Sequence, residues 1–133
     1  MPNLIDEKRE YNALMINDFF NIINVELKKM TELERQLIAA FSFGMIYAEG
    51  FINKIKPETI EVLSAYMLQD SFDYQPEQSV SYTELLIKAS IKRSFHSTIN
   101  AVIHRGIDGH QQWKEDKKDL LKSNVIEILK LHN

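Results

Sequence analysis

The feature that most constrains the fold is an uncharged, strongly apolar segment that runs from Gln36 to Ala48. Apolar side chains recur through it at steps of three and four residues, which places them on a wide face of one helix. Thr31 and Glu34 precede it with the spacing of a capping box, in which each side chain satisfies a free backbone N–H of the first turn. The segment is shorter than the roughly 18 residues that a membrane span needs. We therefore predict a buried helix at the centre of a bundle.

The rest of the chain shows the same helical periodicity, and no segment shows the alternation that is typical of strands. Only 4 glycines and 3 prolines occur among the 133 residues, and Pro57 and Pro76 fit the first turns of helices. The predicted helices cover about Ile5–Lys28, Thr31–Ile52, Pro57–Met67, Pro76–Ala89, Ser94–Ile107 and a terminal stretch from Trp113 or Asp116 to Leu131, with a loop at Ser71–Gln75. We predict an all-α fold, a compact bundle of about six helices that forms a single domain over residues 1–133.

The composition excludes several kinds of chemistry. The chain has no cysteine, which removes disulfides, cysteine-ligated zinc and thiol catalysis. A chain of this length buries enough surface to fold without a metal. The first residues do not combine a basic stretch with an apolar core, so no signal peptide is expected. The lack of cysteine fits a reducing compartment, and we expect no cofactor, no metal and no membrane association.

The net charge of −3 is unevenly distributed along the chain. Residues 57–87 carry six acidic side chains and no Lys, Arg or His, whereas residues 88–133 carry nine basic and five acidic side chains. The acidic segment is interpreted either as the solvated faces of two helices or as a surface that attracts a basic partner and speeds its encounter. A pI of about 5.8 argues against nucleic-acid binding.

The densest set of polar functional groups lies between His96 and Trp113. Within it His96, Asn100, His104 and Asp108 follow at four-residue steps and form one ridge on a helix. Each step drifts by about 40° around a helix of about 3.6 residues per turn, so the first and last of these side chains point about 120° apart. A small metal-dependent or hydrolytic enzyme built on this ridge is an alternative, although no metal-binding motif or marked nucleophile accompanies it.

Protein recognition is the other interpretation of these residues. Arg105, Trp113 and Tyr74 belong to the residue types that dominate interface energetics, and Gly106 and Gly109 permit either a close backbone approach or a sharp turn. The structural alternatives are that Arg105 pairs with an acid of the domain, that Trp113 fills the core, and that Gly109 ends the helix. A helical scaffold that forms homodimers through an apolar face is a further alternative.

The segment Asn100 to Trp113 reads N-A-V-I-H-R-G-I-D-G-H-Q-Q-W. It resembles the signature of small all-helical immunity proteins from bacterial polymorphic-toxin systems, which are often linked to contact-dependent or type VI secretion. Residues 43–46 and the acidic residues 70–78 are also similar to that family. Where the family pattern suggests an aromatic residue after the second glycine, this chain has His110.

The resemblance implies a cytoplasmic antitoxin that binds a cognate toxin and blocks its active site without catalysing a reaction. It also suggests a reason for the acidic segment, because an acidic surface would mimic the substrate of a basic nuclease. The partner is then a toxin protein and not a nucleic acid or a membrane, and the chain is a monomer or a homodimer. The residues expected to contact the toxin are Asp70, Asp73, Tyr74, Glu77, His104, Arg105, Asp108, His110 and Trp113.

Overall fold

The computed structural model describes residues 4–132. Its helices are α1 (Leu4–Ile23), α2 (Glu32–Ile52), α3 (Pro57–Phe72), α4 (Pro76–Ile91), α5 (Ser97–Lys114) and α6 (Lys118–His132). Short 3₁₀ turns at Leu27–Lys29 and Arg93–Phe95 precede α2 and α5. No strand occurs among residues 4–132, so the prediction of an all-α bundle of six helices is confirmed.

The central helix is α2, as its apolar sequence predicts. Every residue from Leu37 to Gly50 is buried except Tyr47. The predicted capping box is present, since the Thr31 hydroxyl accepts from the Glu34 N–H at 3.1 Å and the Glu34 carboxylate accepts from the Thr31 N–H at 2.9 Å. This box provides partners for N–H groups that no helical carbonyl can reach, and so it fixes the start of α2. None of the helices within residues 4–132 combines the length and apolar character needed to cross a bilayer.

The most extensive helix pairing is between α2 and α5, and glycines bring their backbones into contact. A Cβ on Gly44 would overlap the carbonyl oxygen of Ile103, and a Cβ on Gly106 would overlap the carbonyl oxygen of Phe41. Gly109 lies further along α5, where a Cβ would overlap the ring of Phe41. Of the two roles predicted for Gly106 and Gly109, close backbone approach or a sharp turn, the structure shows the close approach.

Helix α5 is longer than its sequence predicts. An end near Ile107 and a helix cap at Gly109 are both wrong, because α5 continues to Lys114. The chain turns instead at Asp116, whose φ of 58° is left-handed. A glycine inside a helix costs about 1 kcal/mol relative to alanine. Here the contact with α2 requires residues without a side chain, so tertiary packing outweighs the low helix propensity of glycine.

Two other helix ends also differ from the prediction. The first helix ends at Ile23 and not near Lys28, because Asn24 adopts a left-handed φ of 56°. Helix α3 extends to Phe72, inside the predicted loop, and Asp73 closes it with a φ of 58°. Asn and Asp are the residues other than glycine that enter this region most readily, because their short polar side chains bond locally.

The hydroxyl of Tyr82 sets an alkaline limit on stability. It donates to the carbonyl oxygen of Gln36 at 2.8 Å, and burial raises its pKa well above its usual range. In the unfolded chain the phenol ionises at its ordinary pKa of about 10. The raised folded-state pKa therefore contributes stability that is complete below about pH 9 and declines above about pH 10, by up to about 1.4 kcal/mol per pH unit.

We expect Tyr82→Phe to lower the free energy of unfolding by about 1 kcal/mol near neutral pH, through the lost hydrogen bond. Above about pH 10 the variant should lose stability less steeply than the unaltered chain, because it has one fewer buried phenol to ionise. Urea unfolding followed by circular dichroism at several pH values measures both effects. Parallel declines in the two proteins at alkaline pH would contradict this account of Tyr82.

Candidate functional site

The acidic segment forms the exposed faces of α3 and α4, which pack side by side. Five exposed carboxylates on it are Glu58, Glu61, Asp73, Glu77 and Glu84. We call this set the acidic surface. Among the contacts of residues 4–132, none of the five takes part in an ion pair. Their charge is therefore not compensated by neighbouring cations and faces solvent.

Asp70 is held by the chain itself. Arg9 of α1 donates to both of its carboxylate oxygens, with Nε–Oδ2 and Nη2–Oδ1 distances of 2.7 Å each. The guanidinium also lies 4.0 Å above the ring of Tyr66. The hydrogen-bonded carboxylate of Asp70 raises the pKa of Arg9. A bidentate pair of this kind fixes geometry as well as charge, so Asp70 joins α3 to α1 and is less available to a partner than the five carboxylates of the acidic surface.

A groove of about 400 Å³ lies between α3 and α4, within the acidic surface. Val62 and Val80 lie in its walls and are 43% and 50% exposed. Glu61 contributes to the groove from α3 and Glu84 from α4. The other residues that line it are Ala65, Tyr66, Gln69, Thr83 and Ile87. The groove therefore combines apolar walls with exposed carboxylates from both helices.

Tyr74 lies in the interior and not on this surface. It is 6% exposed, and its ring packs against Phe72 and Tyr82 at centroid distances of 6.3 and 6.0 Å. Burial raises its pKa, which the nearby charge of Glu32 raises further. The side chain of Tyr74 therefore packs the connection between α3 and α4 and is not available to a partner. Its residue type is typical of interfaces and of cores alike, so the sequence alone favoured the wrong location.

Arg105 joins α5 to α6. Its Nε donates to the side-chain oxygen of Asn124 at 2.6 Å, and its Nη2 lies 3.3 Å from the Glu127 carboxylate. Asn124 in turn donates to the backbone carbonyl of Arg105 at 3.2 Å. Of the two predicted roles for Arg105, the structure shows the pairing with an acid of the domain.

His110 is 1% exposed and joins α5 to the central helix. Its Nε2 lies 2.5 Å from a carboxylate oxygen of Glu49, which is hydrogen-bonding distance. Glu49 also accepts from the Asn53 side-chain amide at 3.0 Å, with the Lys114 ammonium at 4.0 Å. The imidazole is therefore not exposed to a partner. Sequence reasoning did not single out Glu49, although an acid directly after the apolar segment is a signal for a buried pair.

Two further residues of the segment from His96 to Trp113 also stabilise the fold. The Trp113 indole is partly buried against the core, and its N–H donates to Asp18 of α1 at 2.8 Å. His96 caps α5, because its Nδ1 accepts from the backbone N–H of Ile99 at 3.2 Å. These contacts hold α5 to α1 and fix its start. The structural alternative for Trp113, that it fills the core, thus agrees with its packing.

His104 and Asp108 are the two predicted contact residues of α5 whose side chains are exposed. Within residues 4–132 no three His, Asp or Glu side chains lie close enough together to hold a metal ion. Most of the segment from His96 to Trp113 stabilises the packing of α5 against the other helices. Arg105, His110 and Trp113 connect α5 to three other helices, and the exposed pair lies on the remaining face.

A protein-family model described as Immunity protein 48 matches residues 9–132. This match begins within α1 and includes all the helices that follow it. The chain belongs to the Immunity protein 48 family. The predicted resemblance to immunity proteins is therefore confirmed, and membership implies that the partner is a cognate toxin. Comparison with curated proteins and with solved structures finds no match.

This member of the Immunity protein 48 family has a second concave surface, between α2 and α5. A cavity of about 420 Å³ is lined there by Tyr47, Phe51, Ile52 and Lys114, among others, and Phe51 is 71% exposed. Its charged lining residue is the Lys114 cation, which already lies beside Glu49. The acidic surface differs because its charges have no partners within the described part of the chain. It is the better candidate for contact with a toxin.

Proposed function

We propose that this immunity protein neutralises a toxin with a basic active-site face by placing the acidic surface over it. The observation that carries the proposal is the set of five uncompensated carboxylates on α3 and α4. Like charges held together repel one another and destabilise the compact state, and cations of a partner remove that repulsion. The chain itself is proposed to catalyse nothing and to act in the cytoplasm of the cell that makes the toxin.

A nuclease is the class of toxin that fits this surface best. Enzymes that bind nucleic acid neutralise its phosphates with Lys and Arg side chains. Carboxylates at similar density would compete for the same cations and so exclude the substrate. The attraction would also speed association, since charge complementarity acts more strongly on the rate of encounter than on the lifetime of the complex.

The first test is to neutralise three acids outside the groove, in the variant Glu58→Gln, Asp73→Asn and Glu77→Gln. We expect its association rate with the cognate toxin domain that the unaltered chain binds to fall by about tenfold at low salt. The rate should also depend less on ionic strength, because screening acts on the removed charges. Biolayer interferometry over a salt series measures both quantities.

A matched control removes three acids elsewhere, in the variant Glu115→Gln, Asp116→Asn and Asp119→Asn. Asp116 shares the left-handed backbone of Asp73, and Asp119 lies in the first turn of α6 as Glu77 does in α4. Each variant converts three carboxylates to neutral amides, so the net charge changes equally in the two. Equal losses of association rate in both would show that net charge alone matters and would contradict a role for the acidic surface.

A further inference from the structure

We infer that the groove between α3 and α4 receives one apolar side chain of the toxin, from a segment that carries Lys or Arg on both sides of it. This inference rests on the proposed function, because it names the contact that anchors the same partner. Val62 and Val80 form apolar walls that are exposed to water within α3 and α4. Covering these walls with an apolar side chain removes apolar surface from water, which is favourable. A volume of about 400 Å³ provides room for such a side chain.

Two polar side chains of the groove are already hydrogen-bonded within the chain, whereas its two carboxylates are not ion-paired. Gln69 donates to the Ser79 hydroxyl at 3.2 Å, and Thr83 donates to the Ser79 carbonyl oxygen at 2.7 Å. Glu61 and Glu84 take part in no ion pair among the described residues. An occupant therefore has to supply cations to these two acids and apolar atoms to the walls between them.

This charge pattern selects among the possible occupants. A neutral apolar segment would desolvate Glu61 and Glu84 without pairing them, which is unfavourable. A second copy that docks groove to groove would bring the same two carboxylates against their own counterparts, and like charges placed together across an interface oppose binding. Nucleic acids and other anions are disfavoured for the same reason. A basic segment with one large aliphatic or aromatic side chain meets both requirements.

The groove and the surrounding acids then have separable kinetic roles. Long-range charge sets the rate of association, whereas a fully desolvated apolar contact sets the rate of dissociation. Loss of the acids outside the groove should slow binding and flatten its salt dependence. Loss of the apolar walls should shorten the lifetime of the complex and leave the salt dependence unchanged.

The experiment uses the double variant Val62→Ala and Val80→Ala. Alanine has a higher helix propensity than valine, so both helices are retained. We expect the dissociation rate of the toxin domain to rise by about 30-fold or more, as for an interface hot spot. The control is Leu14→Ala with Ile126→Ala, which truncates two other exposed aliphatic side chains at 64% and 42% exposure. The control should dissociate like the unaltered chain.

Three results would overturn the inference, and they are distinguishable. If the groove variant dissociates at the original rate while the acidic variant associates slowly, the groove is not the anchor but the proposed function stands. If the toxin domain does not bind the unaltered chain at all, the proposed function fails and the groove assignment fails with it. If the unaltered chain is a dimer by sedimentation and the groove variant is a monomer, a second copy occupies the groove.

Discussion

Alanine at position 106 is expected to lower the free energy of unfolding by more than about 3 kcal/mol. A Cβ there would overlap the carbonyl oxygen of Phe41, and that atom belongs to the backbone of the central helix. No change of side-chain rotamer relieves such an overlap, so α2 and α5 have to separate along their whole contact. Thermal unfolding should show a midpoint lower by roughly 10 °C or more. Gly44→Ala should behave in the same way, because its Cβ would overlap the Ile103 carbonyl oxygen.

Gly50→Ala is the matched control for this prediction. Gly50 lies in α2 like Gly44 and is buried, but its Cβ would meet the Ile60 side chain, with Cγ1 at 2.7 Å and Cδ1 at 2.8 Å. A flexible side chain can move away, and alanine gains about 1 kcal/mol of helix propensity over glycine. We therefore expect a net change within about 1 kcal/mol. If Gly50→Ala proved as destabilising as Gly106→Ala, the contact between the two backbones would not be the cause.

The second large effect is expected at the buried pair of His110 and Glu49. His110→Leu removes a partner 2.5 Å from the Glu49 carboxylate, and Glu49 is only 9% exposed. Glu49 keeps the Asn53 amide and the more distant Lys114, so we expect a loss of about 2–3 kcal/mol in the free energy of unfolding. Chemical denaturation near neutral pH measures it. His110 is buried between α5 and α2 and is not part of the acidic surface. The folded variant should therefore retain its affinity for the toxin.

A double-mutant cycle separates the pair from simple packing losses. Glu49→Leu alone leaves the imidazole without its acceptor, whereas the double variant with His110→Leu removes both groups together. Replacing a buried pair by apolar residues is less damaging than breaking it. We expect the double variant to be more stable than the sum of the single losses predicts, by about 1–2 kcal/mol. Additive losses would show that the two side chains contribute independently.

Local chemistry explains the parts of the fold that the sequence predicts well. The capping box of Thr31 and Glu34 lies within one helical turn, and the prolines at 57 and 76 restrict their own backbone. Both features depend only on neighbouring residues, so they can be recognised without the rest of the chain. The periodic apolar segment of α2 is local in the same sense. The acidic surface follows from charge alone, because unpaired carboxylates remain in water.

The contacts that the sequence could not assign involve partners far along the chain. His110 and Glu49 are 61 positions apart, as are Arg9 and Asp70, and Trp113 reaches Asp18 across 95 positions. A residue type indicates which interactions are favourable, but not whether the partner is another segment or another protein. Gly106 shows the same ambiguity, since close packing and chain termination both favour glycine. The tertiary contact with α2 decided between them.

The direct contact of α2 with α5 also has a consequence for specificity. The glycines and the buried His110–Glu49 pair fix a frame that tolerates little change, and the exposed positions of residues 57–91 lie outside it. Under the proposed function, the toxin contact can therefore change on the hairpin of α3 and α4 while the frame stays intact. An engineered chain with the five carboxylates of the acidic surface exchanged for lysines, and Asp70 retained, should keep its fold and lose its original toxin, so a new specificity could be built on this hairpin.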